Sequence, residues 1–574
     1  MNANRWTTLL AATVIVTMVT GTLGFYHLDP QPGWQGWTTA GYKAVQLFSL
    51  NSGVVERPPT PVLIEISRWC ALGSLIGAIL ATARTLLWAF KSSVRRATMR
   101  GHVIICGAGV RGSEIAKAFA RQTGNGVVVV EIDGRNAAMG DLRNLGIEVF
   151  EGNALDATVL LQAGISKARS LVAVTGNDET NLRICSEVVK DLNLNCELSA
   201  GIESWAWRSY YLDRLKSKIR LDSYLSRAAQ HLMLEIGCQA ARDSALRGRG
   251  VCILIEGAGA ILQELIRAAV TLLQISAETK PVIHITSASV GDEALFKARF
   301  PATHLVAELK WHEETPSRRF AEGGAMPPDF AVFAYPEDIE SLEAAERFWM
   351  RHDMAGGRVI ACLQGDGEVS RMKNLTSHKD DFSVRNLISL GLGSGNPLKP
   401  EIEERARLCH KFYLEKELAN NPLYGSGEKD HPRDWKKLSE RFKESNRLAA
   451  MHNEIKIAAW SSRGDNSNQS MLIHLARCEH MRWMGEKAMD GYRYGVTKDE
   501  DKRIHDKLVS FDSLEQFDQC KDFVTFAWCL DLSDDEWDKL KDELKIPDEV
   551  IIVILRGRDL WRDLRESSDT VPKK

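Results

Sequence analysis

The stretch HVIICGAGVRGSEIAKAFA, residues 102–120, predicts the fold of the central part of this chain. It reads as a buried apolar strand, a glycine-rich turn and a helix whose apolar residues recur at helical spacing. Gly107 allows a tight turn, Gly109 lets the backbone approach a ligand, and Gly112 lets the helix pack on the strand. The G-x-G-x-x-G spacing in this strand–turn–helix context predicts a Rossmann unit that binds a dinucleotide.

The second strand of this unit, GVVVVEID (126–133), supports that interpretation. It ends in Glu131 and Asp133, about 20 residues after the glycines, where an acid binds the ribose hydroxyls. Val110 and Arg111 follow the glycine turn at the start of the helix. Because a helix N-terminus favours phosphate groups, we expect these two residues to belong to the nucleotide site. Because a carboxylate repels the extra phosphate of NADP, we expect NAD(H) or another adenine nucleotide.

The next segment, residues 146–185, closely resembles the RCK or TrkA-N family. In that family a third strand leads to a G-D-A-x-D-like turn and a fourth strand leads to T-x-x-D-E-x-N. The matching residues are Gly152, Asn153, Ala154 and Asp156, followed by Thr175, Asp178, Glu179 and Asn181. The resemblance covers residues 101–235 and implies that Asn153, Ala154, Thr175 and Asn177 join the nucleotide site. Asn153 replaces the family's usual aspartate, which leaves the contacts to adenine open.

The resemblance implies a sensor, because RCK domains respond to nucleotides or ions and act on a pore or transporter. An NAD-dependent oxidoreductase is the competing enzyme class, and hydride transfer needs a substrate pocket with a positioned acid or base. No such group is recognisable after Cys185. We therefore expect an effector nucleotide, no catalytic residues and no enzyme activity. A Rossmann shell that has lost its ligand is the remaining alternative.

Two apolar runs precede this domain, at residues 9–25 and 62–90. Each is long enough to cross a hydrocarbon core of about 30 Å as a helix. A signal peptide is the alternative for the first run. The basic stretch KSSVRRATMR (91–100) follows the second run, and such clusters lie on the cytoplasmic side. We expect a two-span hairpin in the inner (cytoplasmic) membrane, with both termini in the cytoplasm.

The loop between the two runs contains WTTAGYKAVQLFSLNSG (37–53), which lies where two-span tetrameric cation channels carry a pore helix and filter. The layout resembles those channels. However, FSLNSG replaces the potassium filter pattern T-V-G-Y-G, whose backbone carbonyls coordinate the ion. The selected ion is therefore open, and an interfacial loop is the alternative. The pore-loop candidates are Ser49, Leu50, Asn51, Ser52 and Gly53.

A second, degenerate Rossmann pattern begins at VCILIEGAGAILQEL (251–265). Gly257 and Gly259 are present, but Leu262 replaces the third small residue. Further strands are predicted in PVIHITSAS, HLVAELKW, DFAVFAY and RVIACLQGD, which implies a doubly wound parallel sheet. Because no acid closes the strand PVIHIT, we interpret this half as a structural repeat.

From about residue 400 the sequence becomes helical and charged. The run L-A-R-x-E-H-x-R-W-x-x-x-K-x-x-x-G-x-x-Y-G (475–495) and KDEDKRIHDKLVSFDSL (498–514) resemble the RyR domain of ryanodine receptors and bacterial proteins. Aromatic faces stack on nucleobases and basic side chains pair with phosphates. A second ligand site is therefore one interpretation, and a buried network that fixes the helices is the other. The candidates are Trp435, Asn446, Arg447, Arg477, Lys487, Tyr492 and Tyr494.

The tail after residue 516 contains an acidic segment and a strand-like apolar run, EVIIVILRG (549–557), and we expect it to pack on the preceding module. The fold class is therefore multidomain: two transmembrane α-helices, two α/β Rossmann-type domains and a mainly α-helical C-terminal domain. The predicted domains are 1–100 (transmembrane hairpin), 101–245 (RCK/TrkA-N), 246–395 (second Rossmann), 396–516 (RyR-like) and 517–574 (extension).

Net charge and cysteine spacing limit the classes of partner and cofactor that the chain is expected to bind. The formal net charge of −3 gives no support for nucleic-acid binding. The 11 cysteines include no C-x-x-C pair, so neither zinc nor any other metal is predicted. We expect a homo-oligomer, with a tetramer favoured, in a lipid bilayer. Its predicted function is a nucleotide-regulated, ion-channel-like protein of the cation or potassium transport type. The main alternative is a membrane-anchored nucleotide sensor without a pore.

Overall fold

A computed structural model divides the chain into two compact units, Met1–Thr98 and Met99–Lys574. The structure describes residues 3–50, 61–122, 126–192, 196–212, 214, 219–243, 246, 249–287, 291–313, 327–352, 358–364, 382–392, 401–413, 434–435, 438–464, 468–530 and 532–569.

The described residues of the first unit form three α-helices: α1 (Ala3–Leu28), α2 (Trp34–Gln46) and α3 (Val62–Thr98). Two segments, Thr8–Leu28 and Val62–Ala83, are long and apolar enough to cross a membrane, as judged by length and composition. Both predicted apolar runs are therefore helical.

Helices α1 and α3 bury hydroxyl groups between them. The hydroxyls of Thr20 and Ser67 are hydrogen-bonded at 2.7 Å, and Ser74 donates to the Thr13 hydroxyl at 2.9 Å. Large apolar side chains of the same helices are exposed instead: Ile15, Val19, Ile76, Ile79 and Leu80. Hydroxyl groups therefore lie between these two helices, whereas several of their large apolar side chains face outward.

Helix α2 occupies the loop in which the pore-like segment was predicted. It packs closely on α1, because a Cβ atom added at Gly21 would lie 2.9 Å from the Cβ of Ala44. Ser49 ends a short 3-10 turn, and Leu50 has a left-handed φ of 58°. The remaining pore-loop candidates lie outside the described residues: Asn51, Ser52 and Gly53.

The second unit begins with a six-stranded parallel sheet in the order β3-β2-β1-β4-β5-β6. Its strands are β1 (Val103–Cys106), β2 (Val127–Glu131), β3 (Glu148–Glu151), β4 (Ser170–Ala173), β5 (Glu197–Gly201) and β6 (Ile219–Asp222). Its helices are α4 (Val110–Gln122), α5 (Ala138–Asn144), α6 (Ala157–Gln162), α7 (Asp178–Leu192), α8 (Trp205–Leu212) and α9 (Tyr224–Arg242). This is the predicted Rossmann topology, whose strand order reverses between β1 and β4.

A second six-stranded parallel sheet has the order β12-β11-β10-β7-β8-β9, which repeats the topology of the first. Its strands are β7 (Cys252–Gly257), β8 (Val282–Ser287), β9 (Glu308–His312), β10 (Phe330–Ala334), β11 (Val359–Leu363) and β12 (Phe382–Asn386), and its helices are α10 (Gly259–Leu272), α11 (Asp292–Arg299) and α12 (Asp338–Trp349). Strand β12 was not predicted from the sequence, because this edge strand, FSVRN, has no continuous apolar run.

The remaining helices are α13 (Leu387–Leu392), α14 (Glu401–Tyr413), α15 (Glu440–Ser461), α16 (Asn468–Met489), α17 (Gln516–Phe526), α18 (Asp534–Leu544) and α19 (Asp548–Asp569), with a two-residue pair of strands, β13 (Arg493–Tyr494) and β14 (Ile504–His505). The predicted strand at EVIIVILRG was wrong, because these residues belong to α19. Val550, Val553 and Ile554 are buried at helical spacing, whereas Ile552 is exposed.

One hydrophobic cluster joins the helical module to the tail. It contains Ala449 and Leu472 from the module together with Trp528 and Trp537 from the tail. The tail therefore packs on the preceding module, as predicted.

Helix α9 lies between the three parts of the second unit. It contacts α10 of the second Rossmann domain, the short helix α13 and helix α15 of the helical module. A Cβ atom at Gly237 would lie 2.5 Å from the Cδ1 atom of Ile455, so α9 and α15 approach closely at this point. The helical module also packs on α10, where a Cβ atom at Gly485 would lie 2.8 Å from the carbonyl oxygen of Val270.

We expect Gly485→Ala to destabilise the second unit by about 1–3 kcal/mol, because the added methyl group meets backbone that cannot rotate away. The matched control is Gly140→Ala in α5, where the added Cβ meets no atom within 4 Å. This control should be neutral or stabilising by up to about 1 kcal/mol, since alanine has a higher helix propensity than glycine. Thermal unfolding of the full chain in detergent measures both changes. Equal melting temperatures for the two variants would contradict the proposed close packing.

Candidate functional site

The glycine turn after β1 is constrained by its neighbours at two of its three glycines. Gly107 has a left-handed φ of 104°, and a Cβ atom there would lie 2.8 Å from the Thr175 Cα atom. A Cβ atom at Gly112 would lie 1.9 Å from the Gly107 carbonyl oxygen. By contrast, a Cβ atom at Gly109 would meet no atom within 4 Å. Gly107 and Gly112 are therefore required by the fold, whereas Gly109 borders open space at the start of α4.

Glu131, at the end of β2, holds this turn in place. Its Oε2 atom accepts a hydrogen bond from the Ala108 backbone N–H at 2.5 Å, and its Oε1 atom accepts one from the Asp133 N–H at 3.0 Å. The Glu131 side chain is buried, its Oε2 atom also accepts from the Asn136 side-chain amide at 3.4 Å, and its Oε1 atom can accept a further hydrogen bond. Asp133 is exposed, with its Oδ1 atom accepting from the Arg135 N–H at 3.0 Å. The two predicted acids therefore differ: Glu131 braces the turn and Asp133 faces solvent.

The candidates after β3 and β4 shape turns at the same edge of the sheet. Asn153 Oδ1 accepts from the Leu155 N–H at 3.0 Å, and Ala154 is buried. The backbone N–H and the hydroxyl of Thr175 both donate to Asn181 Oδ1 at 2.8 Å. Asn177 Oδ1 accepts from the Thr180 N–H at 2.8 Å. Carboxyl ends of parallel strands share one edge, so these residues border the edge that carries the glycine turn.

Arg111, in the first turn of α4, is held by a residue that the sequence analysis did not single out. Its guanidinium lies 3.3 Å from the Glu203 carboxylate and 4.2 Å from the centre of the Tyr224 ring. Glu203 follows β5 at the same sheet edge. The sequence signal for Glu203 is its position just after a strand of a parallel sheet. The sequence-based prediction covered only the acid that follows β2.

Glu203 also anchors the start of α9. It accepts hydrogen bonds from the Ser223 hydroxyl at 2.7 Å and from the Tyr224 and Leu225 N–H groups at 3.3 Å each. Burial raises the pKa of Glu203, whereas the neighbouring Arg111 lowers it. A negative charge near the first turn of α9 is also favoured by the helix dipole. Glu203 therefore connects the glycine turn to the helix that enters the rest of the unit.

This connection continues to the second sheet. The Tyr224 hydroxyl donates to Gln364 Oε1 at 3.3 Å, and the Gln364 N–H donates to Asp338 Oδ1 at 2.6 Å. Gln364 follows β11, and Asp338 begins α12. The ring beside Arg111 thus contacts the carboxyl edge of the second sheet.

The corresponding turn of the second sheet differs from the first at its third small residue. A Cβ atom at Gly257 would lie 2.0 Å from the Ala334 carbonyl oxygen, whereas a Cβ atom at Gly259 would meet only Pro336, at 4.0 Å. Leu262, which replaces the third small residue, is buried. Glu256 is buried too and accepts a hydrogen bond from the Tyr335 hydroxyl at 3.0 Å. The interpretation of this half as a structural repeat stays a prediction.

The RyR-like candidates fall into separate contact groups. Trp435 Nε1 donates to Glu403 at 3.1 Å, and Arg447 pairs with the same carboxylate at 2.7 Å and with Glu440 and Glu444. Burial and hydrogen bonding within this acidic group account for the Arg447 charge without a phosphate ligand.

The other candidates lie elsewhere in the module. Arg477 pairs with Asp512 at 2.9 Å, and Asn446 donates to the Phe442 carbonyl within α15. The Lys487 ammonium lies 5.0 Å from the centre of the Tyr492 ring, and Tyr494 is exposed. The structure therefore does not gather these residues around one pocket.

No group of three or more His, Cys, Asp or Glu side chains arranged to hold a metal ion is found within the described part of the chain.

Comparison with known proteins finds a domain resemblance in the first Rossmann domain. Residues 103–206 match the TrkA-N domain. The chain is 40% identical over 82 residues to the Trk system potassium uptake protein trkA homolog 1 of Methanosarcina mazei, which is 14% of this chain and 19% of that protein. It is 33% identical over 94 residues to the TrkA homolog of Pyrococcus horikoshii, which is 16% of this chain and 40% of that protein. The chain spans less than half the length of these relatives.

Two solved structures are also similar. One is the GsuK protein bound to ADP, with 16% identity, a TM-score of 0.35, and coverage of 67% of this chain and 94% of that chain. The other is the GsuK channel bound to NAD, with 14% identity, a TM-score of 0.35, and coverage of 67% and 81%. The RyR resemblance of residues 400–516 remains a prediction. The TrkA-N resemblance is confirmed for residues 103–206, which match the TrkA-N domain.

Proposed function

We propose that this chain is a membrane-embedded regulator of cation transport whose first Rossmann domain binds an adenine nucleotide such as NAD(H) or ADP as an effector. The observation that carries the proposal is the open space at Gly109, between the turn braced by Glu131 and the basic side chain of Arg111. The first turn of a helix has N–H groups without intrahelical partners, which favours phosphate at this position. Potassium is the favoured ion, because the relatives of this domain are named as potassium uptake proteins.

The first unit is proposed to lie in the inner membrane as a two-span hairpin with cytoplasmic termini. Its inward hydroxyls and outward apolar side chains suit a lipid solvent, in which polar groups must bond internally. We propose that four copies assemble around a pore and that residues 49–53 line it. The division into domains at residues 100, 245, 395 and 516 belongs to the same proposal.

Transmission of the signal depends on Arg111. A bound phosphate competes with Glu203 for its guanidinium, and Glu203 holds the first turn of α9. A ligand shifts a conformational equilibrium only as far as it binds one state more tightly. Residues 99–102 are the whole connection between α3 and β1, and the Gly101 N–H donates to the Lys167 carbonyl at 2.8 Å. We propose that this short connection passes a movement of the first sheet to α3, because a long flexible linker would dissipate it.

We expect Gly109→Glu to abolish nucleotide binding to the first domain, because the added side chain enters the open space and its charge repels phosphate. Gly140→Glu is the matched control, since both added Cβ atoms meet no neighbour within 4 Å. The test is titration calorimetry of the detergent-solubilised chain with NAD and ADP, with mass spectrometry of co-purified nucleotides. If wild type binds neither nucleotide, or if Gly109→Glu binds as wild type does, the assignment of the site fails.

We expect Arg111→Gln to weaken nucleotide binding about tenfold, the effect of losing one charge-assisted hydrogen bond. Glu203→Gln should act in the opposite direction, because the competing negative charge is removed. Arg121→Gln is the control, at the exposed far end of the same helix, about 15 Å away along the axis. The same titration measures all three variants. Weaker binding by Glu203→Gln would contradict the competition.

Potassium flux from liposomes that contain the purified chain tests the transport function. We expect flux that responds to nucleotide in wild type and in Gly140→Glu and that no longer responds in Gly109→Glu. Nucleotide binding without flux under any condition would favour the membrane-anchored sensor without a pore. Turnover followed by nicotinamide absorbance would favour an oxidoreductase instead.

A further inference from the structure

The carboxyl edge of the first sheet has two halves, which meet where the strand order reverses between β1 and β4. In this fold a dinucleotide lies across that crevice with its pyrophosphate at the glycine turn, so that each half receives one nucleoside. Glu131 ends β2, and its half is therefore the one expected to receive the adenosine. The second nucleoside of a dinucleotide has to lie over the half formed by β4, β5 and β6.

Three side chains of the protein occupy this second half. Glu203 follows β5, Tyr224 follows β6, and both contact Arg111 in the first turn of α4. The Arg111 guanidinium lies 3.3 Å from the Glu203 carboxylate and 4.2 Å from the centre of the Tyr224 ring. Tyr224 is only 5% exposed and belongs to the hydrophobic core. Arg111, Glu203 and Tyr224 are together called the crevice plug.

Tyr224 is held in place from the second Rossmann domain. A Cβ atom added at Gly391 in α13 would lie 2.5 Å from the Tyr224 carbonyl oxygen and 3.3 Å from the Tyr224 Cβ atom, so α13 packs directly against this residue. The Tyr224 hydroxyl donates to Gln364 Oε1 at 3.3 Å, and its N–H donates to Glu203 at the same distance. Because these contacts surround Tyr224, a ligand that draws Arg111 aside still meets the tyrosine ring.

The adenosine half of the edge is open by comparison. A Cβ atom at Gly109 would meet no atom within 4 Å. The side chains of Val110 and Ile132, which follow Gly109 and Glu131 in the sequence, are both largely exposed. Apolar side chains of this kind lose contact with water when a nucleobase packs on them, which favours binding. The two halves of the crevice therefore differ in the room that they leave for a nucleoside.

We propose that Tyr224, with Arg111 and Glu203, is a specificity determinant that restricts the first site to a phosphate of a single adenosine, such as ADP, and excludes the second nucleoside of NAD. This inference rests on the proposed function, because it concerns the same site. The terminal phosphate of ADP ends beside the first turn of α4, where the Arg111 guanidinium is a suitable donor. The second ribose and the nicotinamide of NAD instead meet a ring that close packing keeps in place, and such a clash discriminates between ligands.

A series of ligands tests the restriction in the wild-type protein. Titration calorimetry of the full chain in detergent compares ADP, ADP-ribose and NAD, which share the ADP unit and add first a ribose and then nicotinamide. We expect ADP to bind at least about tenfold more tightly than either of the other two. Binding of NAD as tight as that of ADP overturns this inference and leaves the nucleotide site in place. Absence of binding by all three overturns the function proposed above and this inference with it.

Substitution of Tyr224 tests its role as the determinant. Tyr224→Ala should raise the affinity for NAD relative to that for ADP at least about tenfold, because the ring no longer fills the second half of the crevice. Tyr224→Leu, which keeps an apolar side chain in the core, should shift the ratio in the same direction by a smaller factor. Tyr224→Phe loses only the hydroxyl and should keep the ratio of wild type. The control is Tyr210→Ala, which removes an exposed ring of α8 and should also leave the ratio unchanged.

The ratio of the two affinities separates specificity from stability. A variant that only loosens the fold has a lower Tm and binds both nucleotides more weakly, so its ratio stays that of wild type. An unchanged ratio in folded Tyr224→Ala and Tyr224→Leu overturns the assignment of Tyr224. Tyr224→Leu alone decides the outcome when the Tm shows that Tyr224→Ala does not fold.

Discussion

The carboxylate of Glu203 is the contact through which the glycine turn reaches the rest of the second unit. It pairs with Arg111 on one side and accepts hydrogen bonds from Ser223, Tyr224 and Leu225 on the other. Because it is buried, its charge depends on those partners, and a change at Arg111 alters the cap of α9. Helix α9 in turn packs against α10 of the second Rossmann domain, the short helix α13 and helix α15 of the helical module, so its first turn links the glycine turn to these elements.

Two sheets of the same topology carry different turns, and the difference lies in packing. At the first turn the space beside Gly109 is open, whereas Gly107 and Gly112 are confined by backbone atoms. At the second turn, Gly257 abuts the Ala334 carbonyl, Gly259 meets only Pro336 at 4.0 Å, and the buried Leu262 takes the place of the third small residue. The two turns therefore differ at the third position, where the first sheet has Gly112, although the strand order is the same.

Several charged side chains of the helical module pair with one another inside the protein. Lys456 and Arg482 both pair with the buried carboxylate of Glu479, and Arg447 pairs with three carboxylates. Removing one member of such a group leaves an unpaired buried charge, so these residues hold the helices in one arrangement. On the Rossmann face that meets this module, Arg208 and Arg267 share Glu264, and Arg220 and Arg227 share Asp222.

The sequence by itself determined the two apolar helices, the Rossmann topology and the identity of the glycine turn, because hydrophobic periodicity and glycine spacing act over short distances along the chain. It failed at EVIIVILRG, where a short apolar run is compatible with strand or helix and only the surrounding core selects the helix. It also did not show that the RyR-like candidates form separate contact groups, such as Arg447 with Glu403 and Arg477 with Asp512, whose members are distant in sequence. Only the tertiary structure decided that Glu203 joins Arg111 to α9, and that four arginines from two domains share two carboxylates. Such contacts arise from packing between elements far apart in the chain, and no local pattern encodes them.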